Sequence, residues 1–313
     1  MSQKKSDRFE ILPKHRGNRN RYEQIVNWIR MQWEVFERSR LGQAGIVILA
    51  MFVFLGLFAP VLAPYEPQEK NRDASGSIKR MEAPSEEHLL GTTTLGRDVL
   101  SQVIESTRIS LLVGFTAAFV SVFVGTVVGI VSAFYGGWID DVLMRITDIM
   151  YGIPFLPFII VLVIILGPGL FNIVFAISLV MWRSTARVIR SQVLSIKERP
   201  YIEAASAIGA SDLRIMGRHL LPNVLPLTFL YGAFNVSFGI IAEASVAFLG
   251  YGDPTQISWG KMIFRAYSSS AMREAWWWVF PPAIALSLLV VGVFLISRAY
   301  ETVTNPELEE VGQ

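Results

Sequence analysis

Apolar positions along this chain gather into six runs, at residues 44–63, 109–134, 142–166, 170–182, 222–249 and 277–296. A helix needs about 20 residues to cross a hydrocarbon core of ~30 Å. Five of the runs meet that length. The third and fourth form nearly one tract, far too long for a single helix, and Gly167-Pro168-Gly169 supplies a turn between them. Arg183 is expected to end the fourth run early. The pattern predicts an all-α membrane protein with six transmembrane helices.

Polar segments divide the rest. The reading is a cytoplasmic tail over 1–42, a first span and external loop over 43–108, a five-span core over 109–300, and a tail over 301–313. Within the first tail, Tyr22, Ile25, Ile29, Trp33 and Phe36 recur at helical spacing, with Arg21, Arg30 and Arg38 elsewhere on the wheel. That suits a helix lying along the inner membrane surface. The plainer reading is an extension of the first span into the cytosol. Residues 1–20 are polar without periodicity and are expected to be disordered. More than 40 residues precede the first run, too many for the n-region of a cleaved signal peptide.

Composition agrees: 52% of the 313 residues are hydrophobic, 17% are charged, and mean hydropathy is +0.43. Soluble domains carry about 25% charged residues. Net charge is only +2, but its distribution is informative. Lys and Arg concentrate in the first 42 residues and again in 183–221, whereas acidic residues outnumber basic ones in 64–108. The positive-inside bias puts both basic segments, and both termini, in the cytoplasm. Trp276-Trp277-Trp278 would then sit at the outer interface.

The chain shows no catalytic constellation of its own. His15, His88 and His219 are scattered, there is no cysteine, and no H-E-x-x-H or G-x-S-x-G occurs. Gly260-Lys261 is followed by Met262 and lacks the upstream glycine of a phosphate-binding loop. The chain is therefore expected to be a non-catalytic subunit that binds no cofactor or metal. Energy must come from a partner or an ion gradient. Nothing points to nucleic acid.

The basic connection 183–221 carries the sharpest local pattern. Residues 202–208 form a good helix with small Ala204, Ala205 and Ala207, and Gly209 breaks it, since glycine accepts left-handed backbone freely. Ser211 is placed to cap a second short helix with Asp212 in its first turn, and Pro222 to restart a helix. The expected product is a bent helix pair offering Ile208, Leu213, Ile215 and Met216 to a partner. An ordinary amphipathic linker packed on its own spans is the bland reading.

Glu203-Ala204-Ala205, then Gly209, then His219-Leu220-Leu221-Pro222 resembles the "EAA loop" of permease subunits from ABC importers. The surrounding run resembles the second, C-type permease of dipeptide/oligopeptide/nickel importers. So do His88–Ser101, Ala247–Gly252 with Ser258-Trp259-Gly260, and Ala59–Tyr65. Thr93 stands where an aspartate is common in that family, and Ser297–Glu301 departs from its usual tail.

The resemblance implies the type I ABC permease fold and a complex. A homologous permease forms the other half of the pathway. Two cytoplasmic ATPases use ATP and Mg, and an extracytoplasmic binding protein delivers solute. Glu203, Ala204, Ala205 and Gly209, with Arg214 as a weaker electrostatic contact, would couple the chain to an ATPase. The solute would be a dipeptide or oligopeptide, with nickel chelates and oligosaccharides as alternatives. An ion-coupled secondary transporter is the competing class, but its inverted repeats and intramembrane charges are not evident here. Glu243 is the one acid well inside a span. It is expected to face the partner permease or the pathway, with Asn235, Ser245 or the other subunit as its candidate hydrogen-bond partners.

Overall fold

The computed structural model describes residues 39–304. The amphipathic segment around Tyr22–Phe36, the charged first 20 residues and most of the final tail lie outside the described residues.

Ser39 caps α1 (Arg40–Leu57) by accepting from the Gly42 amide at 3.1 Å. A single helical turn, α2 (Ala59–Leu62), follows with Pro60 in its first turn, so the first apolar run is broken at Phe58. Residues 63–98 form a folded connection without long helices. Asp98 then caps α3 (Val99–Tyr135), accepting from the Ser101 amide at 2.7 Å.

The third apolar run is not one helix. It splits into α4 (Gly137–Gly152) and α5 (Phe155–Leu166), bent by 94°. Pro154 explains the break: the residue before proline is pushed out of helical geometry, and Ile153 is extended at φ −87°, ψ 126°. The fourth run is longer than expected. Here α6 (Leu170–Lys197) continues for 28 residues, and Arg183 does not end it. Its guanidinium is satisfied inside the bundle by the Met150 carbonyl.

The connecting loop holds α7 (Pro200–Ala207) and α8 (Asp212–Ile215). Pro222 does not begin a separate helix. A wide turn over Met216–Leu220 leads without interruption into α9 (Leu221–Val246), and the Leu221 amide reaches back five residues to the Met216 carbonyl. Such a turn accommodates a proline that has no amide to donate. A second wide turn at Ala247–Tyr251 ends the span, α10 (Trp259–Ser268) packs beyond it, and α11 (Trp276–Thr304) closes the chain.

Among the described residues five helices are long and apolar enough to cross a membrane, and α4–α5 makes a sixth crossing if the bent pair counts as one span. Close approaches at glycine fix their directions. In α3, Gly125 lies against Thr185 and Ala186 while Gly129 lies against Ala186, Ile189 and Arg190, so α3 and α6 run in parallel. Gly114 meets Val236 and Ile240, whereas Gly232 faces Val122, so α9 runs against α3. Gly45 of α1 meets Gly292 and Ile296 of α11. Residues 63–98, 167–169 and 247–276 thus gather at one end of the bundle. The 198–220 loop, Arg40 and the last turn of α11 gather at the other.

The tryptophan triplet is mostly interior. Trp276 is exposed, but Trp277 and Trp278 are buried in the cluster that joins α10 to α11, and Trp277 donates to the Thr92 carbonyl at 3.3 Å.

Candidate functional site

The 198–220 loop is a shallow platform pinned from beneath. Ile202 and Ala205 of α7, Ile215 of α8 and Leu220 turn inward. They join Ile130 and Ala133 of α3, Ile189, Val193 and Ile196 of α6, and Val224 of α9. Each large aliphatic side chain so buried contributes on the order of 1.5–3 kcal/mol. The platform is therefore fixed to the adjoining ends of α3, α6 and α9.

Gly209 makes the bend. Its φ is +79°, and the hydrogen bonds around it close α7: the Gly209 amide donates to Ser206 at 3.0 Å and the Ala210 amide to Ala205 at 3.1 Å. That pair of bonds is the Schellman termination, in which glycine is preferred because a Cβ is penalised there. A β-carbon added at Gly209 would meet nothing within 4 Å. Within this chain, the need for glycine comes from backbone conformation and not from crowding.

The outward face is unlike the underside. Glu203, Ala204, Gly209 and Arg214 are exposed, and two large aliphatic side chains stand almost free, Ile208 at 86% and Leu213 at 80% exposure. Ala205, placed with its neighbours by the sequence pattern, is buried at 8% instead. Ile215 is likewise not offered to a partner, since only 2% of it is exposed. Ser211 occupies the cap position of α8 but its side chain makes no cap bond; the Ser211 carbonyl instead receives the Arg214 and Ile215 amides. His219 sits beside Tyr201, ring centroids 6.3 Å apart.

A row of cations behind the platform has a use that charge counting missed. Arg183, Arg187 and Arg190 recur along one face of α6 and fasten α4. Arg190 grips Asp140 through two hydrogen bonds of 2.6 and 2.5 Å, and Arg187 reaches Asp148 at 2.5 Å. The Arg183 and Arg187 guanidiniums lie 4.9 and 4.2 Å from the centre of the Tyr151 ring. Lys197 donates to the Phe134 carbonyl at 2.6 Å. The bidentate Arg190 pair is the strongest contact of the row, because two parallel charge-assisted bonds hold it. The spacing at i, i+4 and i+7 was the available signal.

Glu243 is elsewhere, far along α9 from the platform. It is 3% exposed, already buried within this chain, and so does not face a second subunit or an open pathway. Neither expected partner is engaged. Asn235 donates to Thr185 and Ser245 to the Ile241 carbonyl. The hydrogen-bonding neighbour of Glu243 is Ser258, whose hydroxyl also caps α10, accepting from Lys261 at 3.4 Å. The second carboxyl oxygen, Oε2, is buried without a partner. Glu243 thus links the end of α9 to the start of α10. Glu243→Gln should give near-normal yields of folded protein. Glu243→Ala should lower stability by about 1–3 kcal/mol, the usual cost of unmatching a buried polar contact. Thermal unfolding in detergent checks both, and equal stability of the two variants would remove the structural role.

Residues 125–304 match the family model for the inner membrane component of binding-protein-dependent transport systems. Residues 27–84 match the N-terminal membrane domain of oligopeptide transport permease C. The chain belongs to this permease family. Among its curated relatives is a dipeptide transport system permease protein of Alkalihalophilus pseudofirmus, 32% identical over 93% of each chain. Another from Bacillus subtilis is 32% identical over 90% of this chain and 87% of that one. A di/tripeptide permease protein of Pseudomonas aeruginosa is 33% identical over 88% of this chain and 91% of its own. The permease is thus an integral, multi-pass membrane component of an ABC transporter of the dipeptide/oligopeptide/nickel type. Transporters of this family contain further subunits.

Proposed function

We propose that this permease forms half of the solute pathway of an ATP-driven peptide importer and couples to a cytoplasmic ATPase through the 198–220 platform. One observation carries the coupling: two nearly free aliphatic side chains, Ile208 and Leu213, project from a loop whose other face is locked to three spans. Exposed aliphatics at that density suit a protein groove, and small Ala204 beside them lets a partner backbone come close. Glu203 and Arg214 flank the aliphatic pair as polar rim contacts. Because the underside is anchored to α3, α6 and α9, displacement of the platform would tilt those helices and turn the pathway. The chain contributes no catalytic group. ATP and Mg belong to the ATPase pair, the second permease completes the pathway, and an external binding protein brings the solute. The relatives' names favour di- and tripeptides; nickel chelates and oligosaccharides remain the alternative cargoes.

Two experiments test this. A cysteine at Ala204 should cross-link to a co-purifying ATPase in membranes, and the yield should change on adding ATP. Purification of the chain without any ATPase, with solute uptake intact, would overturn the reading. Orientation is tested separately. A cysteine at exposed Ser75 should react with an impermeant reagent from outside, and one at exposed Ser195 only after permeabilisation. The reverse would put the platform out of reach of ATP.

A further inference from the structure

At the end of the bundle opposite the platform lies a cavity of about 180 Å³, with Thr93, Arg97, Gln102, Arg265, Ser269 and Trp278 among its lining residues. Its wall is built from the 93–97 turn, the first turn of α3, the end of α10 and the start of α11. It contains two guanidiniums and no carboxylate. Neither Arg97 nor Arg265 forms an ion pair among the described residues. Partial burial and the charge of Arg97 together push the Arg265 guanidinium downward in pKa, so the two cations feel each other without a counter-charge.

Two donors in the wall are also unused. Arg97 Nε is buried with no hydrogen-bond partner, and so is the Nε1 of Trp278, a residue only 2% exposed. Buried donors nearly always have partners, since leaving one unmatched costs about 1–3 kcal/mol. The remaining polar lining consists of hydroxyls and an amide. Arg97 is held in place by its backbone: its amide donates to the Thr93 hydroxyl at 3.2 Å, and its carbonyl receives the Thr93 amide at 2.9 Å. Like charges, orphaned N–H groups and a fixed backbone together suit an anion.

We propose that this cavity is a carboxylate-binding site that receives the free carboxylate of the solute at the mouth of the permease. The planar, forked guanidinium matches a carboxylate's two oxygens, and the Trp278 indole and the hydroxyls supply further donors. A cavity of this size has room for a carboxylate with a short side chain, the end of a peptide. This assignment rests on the peptide-import reading of the chain.

The test uses the intact complex in nanodiscs, without the soluble binding protein, and compares labelled dialanine with its C-terminal amide. Dialanine should bind and the amide should not. Arg265→Gln should raise Kd about tenfold or more, the loss expected for a charge-assisted contact. Thr93→Asp places a carboxylate inside the cavity while keeping an acceptor for the Arg97 amide, and should abolish dialanine binding with complex yield unchanged. Equal binding of dialanine and its amide, or wild-type affinity in Thr93→Asp, would overturn the proposal. So would dialanine binding that vanishes in discs of anionic lipid but persists in zwitterionic ones, which would identify a lipid headgroup as the occupant. ATPase cross-linking at Ala204 is indifferent to this cavity. Loss of carboxylate binding with cross-linking intact removes the site alone, whereas loss of cross-linking with carboxylate binding intact removes the docking of the ATPase on the platform and leaves the site standing.

Discussion

Replacing Gly129 by leucine is expected to eliminate most of the folded protein from the membrane. A β-carbon there would lie 2.7 Å from the Ala186 carbonyl oxygen, 2.8 Å from Ile189 Cβ and 3.0 Å from the Arg190 amide. Two of those atoms are backbone and cannot rotate away. Gly125, one turn earlier, has the same relation to the Trp182 carbonyl and the Ala186 amide. Together they let α3 and α6 touch along their backbones, which is how small residues four apart join helices in lipid. Overpacking a tight interface commonly costs about 1–3 kcal/mol, and here α3 must also part from α6, carrying the anchor of the platform with it. Membrane yield and thermal stability provide the measurement. Gly152→Leu is the control, since a β-carbon at Gly152 meets nothing within 4 Å. Equal yields for the two variants would refute the assigned contact.

The double variant Ile208→Asp with Leu213→Asp should insert and fold normally yet lose uptake almost entirely. Both side chains are more than three-quarters exposed, so the folded subunit gives up little by losing them. Exposed substitutions usually change stability by no more than about 0.5 kcal/mol. The docked complex would instead have to bury two carboxylates in a groove shaped for aliphatics, at a cost of several kcal/mol. Ile215→Asp, seven residues beyond Ile208, should behave in the opposite way and destabilise the subunit itself, because Ile215 is interior. Wild-type uptake and wild-type ATPase recovery in the double variant would sink the docking proposal.

Much of this architecture is legible in the linear pattern. Runs of apolar residues locate the membrane crossings because hydrocarbon thickness fixes their length, and Gly167-Pro168-Gly169 marks a real boundary. The bend at Gly209 is local as well: its left-handed backbone and the two hydrogen bonds that close α7 span only six residues. Other features depend on which surfaces meet. The pattern could not say that Arg183 would stay within a helix, because its partner, the Met150 carbonyl, is supplied by the bend at Pro154. Nor could it distinguish Ile208 from Ile215. Both are aliphatic in the same loop, and only packing on α3, α6 and α9 turns one inward and leaves the other free.

The sequence by itself located the apolar runs that make the crossings, the glycine turn and the loop that resembles a coupling motif, since each depends on residues near one another in the chain. Tertiary structure decided that Glu243 is interior and paired with the cap of α10. It also brought Arg97, Arg265 and Trp278 around one cavity. Those groups are separated by up to 181 residues of chain, and no local rule of spacing or propensity brings residues that far apart together; only the packing of α3, α10 and α11 does.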